Sequence, residues 1–95
     1  GDLIAEALGD KKVIILQNHG ILTTGPSVDI ALWFYTSMER CCQAQLMADA
    51  AGETQLIPHD TAIKTRSFIA NDVAAWASFQ PAFDMICKKE PDLFD

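Results

Sequence analysis

The run Val13-Ile14-Ile15-Leu16-Gln17-Asn18-His19-Gly20-Ile21-Leu22-Thr23-Thr24-Gly25 decides how this chain folds. Val13 to Leu16 is continuous, apolar and mostly β-branched, the composition of a strand buried on both faces, and Ile21 to Thr24 suits a second strand. Between them, Gln17-Asn18-His19-Gly20 offers residues that tolerate turn geometry, including positive φ at the glycine. A tight reversal or sharp bend is expected there.

Downstream, Gly25-Pro26 breaks the second strand, and Ser27 is placed to cap a helix whose first turn carries Asp29. The helix is expected to run to about Ala51 and to stop at Gly52. Asp29, Thr36, Glu39, Arg40 and Gln43 share one side of it, but Ile30, Ala31, Trp33, Phe34, Met38, Cys41, Leu46 and Met47 cover more than one stripe. Burial on more than one face follows. Upstream, Leu3 to Leu8 has helical spacing and Gly9 stands where a left-handed terminator is favoured.

After the connector Leu56-Ile57-Pro58-His59, Asp60 or Thr61 can cap a helix to about Ala70, and Asp72 can cap another. Val73, Trp76, Phe79, Phe83 and Ile86 lie at helical spacing in the last one, with a kink or restart expected at Pro81. Lys88-Lys89 suits its C-terminus, and Glu90-Pro91 ends it. Trp33, Phe34, Trp76 and Phe79 fall at core positions. No internal repeat or low-complexity stretch divides the chain.

Ninety-five residues make one domain at most. A mean hydropathy of +0.11 with 49% apolar residues leaves surface that needs a partner. The net charge of −6 has the wrong sign for nucleic acid, and no apolar run approaches the roughly 20 residues that cross a bilayer, so neither partner is expected. Cys41, Cys42 and Cys87 form neither an even disulfide framework nor a CxxC pair. Free thiols, buried as small apolar residues in a reducing, cytoplasmic setting, fit that count.

The motif Val13 to Gly25, followed by Ser27-Val28-Asp29-Ile30-Ala31 and then Met38-Glu39-Arg40-Cys41-Cys42-Gln43-Ala44-Gln45, resembles the third metal-binding segment of class II aldolase/adducin domains. The shared order is a strand ending in Asn-His-Gly, a second strand to a Gly, and a long helix bearing Glu-Arg, over about residues 11–52. That resemblance implies an α/β fold, part of a three-layer α/β/α sandwich of the class II aldolase type, with two strands and about four helices here. Residues 1–95 would be the carboxyl-terminal portion of a single such domain.

The implied chemistry is retro-aldol cleavage of a sugar phosphate or similar hydroxy-carbonyl compound, or related enediolate reactions, with a divalent ion, zinc by preference, stabilising the carbanion. Three histidines and an acid/base carboxylate make such a site, and of these the resemblance assigns only His19 here, as a metal ligand. On spacing alone His19 would be a turn residue. His59, in Pro58-His59-Asp60, matches no family motif and reads as an ordinary loop residue; Glu39-Arg40 reads as an exposed intrahelical charge pair, with substrate contact as the alternative. No catalytic or cofactor-binding residue is assigned.

Further expectations follow from the resemblance. The chain, inactive alone, would be a fragment partnered by the missing amino-terminal portion of its own domain, in a homo-oligomer, by analogy a tetramer, acting on a small-molecule substrate. The helical pattern already under way at Leu3 fits a fragment better than a truncated gene product. A non-catalytic, adducin-like interaction module is the alternative from another class.

Overall fold

In a computed structural model, which describes residues 2–94, the chain runs α1 (Asp2–Leu8), β1 (Val13–Leu16), β2 (Gly20–Thr23), α2 (Val28–Ala51), α3 (His59–Ile69), α4 (Asp72–Lys89) and a short 3-10 turn (Pro91–Phe94). Two strands and four helices match the expected α/β content. β1 and β2 pair antiparallel, from Val13 opposite Thr23 to Leu16 opposite Gly20, so the second strand begins and ends one residue earlier than its composition suggested. Gly9 ends α1 at φ +53°, the left-handed conformation that a glycine adopts without a Cβ clash.

Ser27 is the N-cap of α2 and Gly52 its C-cap, as the sequence requires. Thr23 at the end of β2 donates its hydroxyl proton to the carbonyl of Ala31 at 2.7 Å, tying the hairpin to the first turns of α2. α4 then lies against α2, with Ala75 fully buried beside Ile30 and Phe34, and Val13 and Trp33 packed around them. Gln80 donates from Nε2 to Oδ2 of Asp29 at 3.3 Å, a polar tie between helices far apart in sequence.

Several expectations are corrected. α3 begins at His59 with Pro58 at its cap position and no side-chain capping bond, rather than at Asp60 or Thr61, because proline's fixed φ sets the entry. Asn71, not Asp72, caps α4: its Oδ1 accepts from the amide of Ala74 at 2.8 Å, while its Nδ2 donates to the carbonyl of Phe68 at 2.8 Å. α4 runs unbroken from Asp72 to Lys89 through Pro81, so the helix does not restart there. Pro81 lies on an exposed face, where the carbonyl of Ala77 that loses its helical donor can turn to water.

The core is also smaller than the patterning implied. Ile15 of β1 is 61% exposed, and in α2 only Ile30 and Phe34 are buried, with Leu46 at 70% and Met47 at 67% exposure. Trp76 is half-exposed. Within these residues α4 covers one side of α2, and the sheet has two strands, so the remaining apolar faces meet nothing. The accessible surface is 7846 Å² and the radius of gyration 15.8 Å, against about 5,400 Å² and about 12 Å for a compact chain of this mass and length.

Candidate metal-ligand hairpin

His19 stands at the tip of the β1–β2 hairpin. Its amide donates to the carbonyl of Leu16 at 3.2 Å, closing a turn over Gln17 and Asn18. Asn18 takes φ +63°, the one positive φ outside glycine among the described residues. A negative φ at Gln17 followed by a positive one at Asn18 is the sign pattern of a type II turn, which asks for Gly or Asn at that second position. Asparagine is there because few other residues with a side chain enter the left-handed region cheaply.

Gly20 follows at φ +130°, and a Cβ built there would meet nothing within 4 Å. The glycine is therefore required by backbone conformation and not by space. Together the two residues hand the chain from β1 to β2 with the imidazole of His19 exposed between two hydrogen-bonded strands. The side chain is accessible to a ligand, and its backbone is anchored on both sides.

Among the described residues no three His, Cys, Asp or Glu side chains converge as a metal-binding group. His19 supplies one donor, and a catalytic zinc site needs three protein ligands. Among the described residues, His19 is thus a single donor at the hairpin tip with no second ligand gathered beside it. His59 is not a loop residue but the exposed first residue of α3.

Glu39 and Arg40 are both exposed on α2 and form no ion pair with each other, since neighbours in sequence point about 100° apart around a helix. Cys41, Cys42 and Cys87 are free, as expected, but Cys41 is exposed and the other two half-buried. The buried setting expected for them is incomplete for the same reason as that of Ile15.

Sequence reasoning missed Lys12. Its ammonium lies 5.5 Å over the ring of Phe34 and 3.9 Å from Oδ1 of Asp72, at the junction of β1, α2 and α4. A groove of about 490 Å³ opens beside it, walled by Trp33, Phe34, Met38 and Phe68. The available signal was Lys11-Lys12, two adjacent cations in an acidic chain, immediately before the strand.

The sequence profile of the Class II Aldolase and Adducin N-terminal domain matches residues 1–46. The chain is 39% identical over 93 residues to the decarboxylase NovR of Streptomyces niveus, covering 98% of this chain and 34% of that protein. The fold superposes on L-fuculose 1-phosphate aldolase from Glaciozyma antarctica PI12 with a TM-score of 0.91 at 40% identity, over 96% of this chain and 36% of that one. Alpha-adducin of Rattus norvegicus is 38% identical over 58% of this chain, which is 8% of its own length. The chain thus spans about a third of the length of the two enzymes it matches.

Proposed function

The chain belongs to the class II aldolase and adducin family, and from that premise we propose that it is the carboxyl-terminal portion of a divalent-metal-dependent aldolase domain. The reaction is retro-aldol cleavage or related enediolate chemistry on a sugar phosphate or similar hydroxy-carbonyl compound. His19 is what this chain contributes to the metal, with zinc the preferred ion.

The observation that carries this reading is the hairpin tip. Asn18 at φ +63° and Gly20 at φ +130° form an uncommon backbone that presents an exposed imidazole from a paired strand. A coordinating side chain needs such support from a rigid element. Because His19 is a single donor, the remaining ligands and the proton-handling carboxylate come from residues outside these 95, and the chain alone has no aldolase activity. The three thiols stay reduced in the cytoplasm, and the full protein is a homo-oligomer, by analogy a tetramer.

An adducin-like interaction module is the rival. The two enzymes align over nearly the whole chain and the adducin over little more than half, which favours the enzyme. In the full-length protein, His19→Ala should lower bound metal and the cleavage of L-fuculose 1-phosphate at least tenfold, the order of a lost interaction worth about 1.4 kcal/mol or more. The unfolding midpoint of the metal-free protein should stay unchanged, since the tip is exposed. His59→Ala should alter none of these. A His19→Ala protein that keeps its full metal content would refute the assignment.

A further inference from the structure

The hairpin that carries His19 is fastened to α2 at the end away from its tip. Thr23 stands opposite Val13 in the last pair of the ladder, and Gly20 stands opposite Leu16 in the pair next to the turn. Thr23 Oγ1 donates to the carbonyl of Ala31 at 2.7 Å, and among the described residues no other hydrogen bond runs from either strand to α2. The acceptor is held firmly. Ala31 is helix backbone next to Ile30, which packs in the core with Phe34 and Ala75. A carbonyl oxygen has two lone pairs, so this one can take the hydroxyl proton and keep its place in the helical ladder.

The fastening acts on His19 by leverage. Three residues separate Thr23 from Gly20, roughly 10 Å along the strand at about 3.3 Å per residue, so a swing of about 3° at the base moves the tip by about 0.5 Å. Preorganised sites tolerate no more than about that displacement, and metal–ligand distances are fixed to about 0.2 Å. The turn cannot supply the restraint, because the bond from the His19 amide to the Leu16 carbonyl lies within the hairpin and moves with it. Thr23 and Ala31 both belong to this chain, and their bond does not depend on any face of β1 or α2 being exposed.

We propose that Thr23 is a positioning residue for His19: its hydroxyl locks the base of the hairpin onto α2 and thereby holds the imidazole where a divalent ion is taken up. This rests on the reading of His19 as a metal ligand. The residue type fits the role, since a β-branched side chain suits a strand and is stiff at χ1, which keeps the hydroxyl aimed at its acceptor. Valine has nearly the same shape without the donor, and serine keeps the donor without the methyl.

The readout is the zinc affinity of the metal-free full-length protein, measured by competition with a chelating dye. Apparent affinity scales with the competent fraction, so a variant that stays folded shows no change from a reduced stability margin alone. Thr23→Val should weaken zinc at least about fivefold, equivalent to about 1 kcal/mol and to one lost hydrogen bond. Thr23→Ser should stay within about twofold of the parent. In a His19→Ala background, Thr23→Val should have no further effect, as a residue that acts through His19 requires. Unchanged affinity in Thr23→Val, no recovery in Thr23→Ser, or an equal loss with and without His19 would each overturn the proposal. If His19→Ala alone leaves zinc affinity unchanged, the metal-ligand reading falls and the proposal with it; a loss in His19→Ala beside unchanged affinity in Thr23→Val removes the proposal and leaves that reading standing.

Discussion

Replacing Gly25 by alanine asks whether the close approach of the β2 exit to α2 sets the position of the hairpin. A Cβ at residue 25 would lie 2.9 Å from Cγ2 of Ile30 and 3.0 Å from the amide nitrogen of Ala31. Ile30 is 7% exposed and packs in the core, so its methyl has little room to yield. The Ala31 nitrogen is helix backbone, held by its own bond to the carbonyl of Ser27 at 3.0 Å. The hairpin must therefore retreat, and the 2.7 Å bond from Thr23 to the Ala31 carbonyl stretches with it.

Overpacking of this kind costs about 1–3 kcal/mol, and a lost hydrogen bond adds about 1 kcal/mol. Gly25→Ala should thus destabilise the full-length protein by about 2–4 kcal/mol, read in urea as a lower midpoint at unchanged slope. Gly52→Ala is the control: its backbone is extended and nothing lies within 4 Å of the added carbon. The control should stay within about 0.5 kcal/mol of the parent. If Gly25→Ala also stays within that margin, the contact does not position the hairpin.

Asn71→Ala should cost about 1–2 kcal/mol in the same assay, because the side chain both caps α4 and bonds to the end of α3; a change below about 0.3 kcal/mol, less than a typical cap, counts against that double role. Asp29 has its carboxyl held below its ordinary value of 3.8 by the Ser27 hydroxyl first, with the Gln80 amide and nearby backbone amides assisting and partial desolvation opposing. A lowered folded-state value means the stabilisation is present above pH 3.8 and is lost as pH falls through the lowered value. Asp29→Asn should therefore flatten the acid limb of a melting-temperature profile below about pH 4, and parallel curves for variant and parent would contradict this. Alkylation without reductant, read by mass spectrometry, should modify Cys41, Cys42 and Cys87 alike; a bridge from Cys87 to either of the others would reverse that expectation.

Local chemistry was legible wherever a residue acts on its own backbone. Ser27 and Gly52 mark the ends of α2, Gly9 ends α1, and Asn18 and Gly20 shape the hairpin, because each meets a conformational demand that few other residues can meet. Nonlocal chemistry was not legible. Gln80 reaches Asp29 across 51 positions, and Lys12 reaches Phe34 of α2 and Asp72 of α4 only through tertiary packing. The choice of Asn71 over Asp72 as cap is intermediate, since both can accept an amide proton and only Asn71 also has donors to spare for the end of α3.

The largest mismatch, the exposure of residues with core patterning, has a physical meaning of its own. Ile15 on β1 and Met38, Cys41 and Leu46 on α2 line a shared apolar cavity of about 470 Å³. These are the positions where a continuous apolar strand and an over-wide apolar helix demanded a second covered face. The chain exposes 7846 Å², roughly 2,400 Å² more than a compact chain of its mass. The apolar composition of β1 and α2 thus specifies contacts that residues 2–94 do not make among themselves. His19 shares that condition, as a single imidazole on a well-supported turn whose proposed role also needs donors from elsewhere.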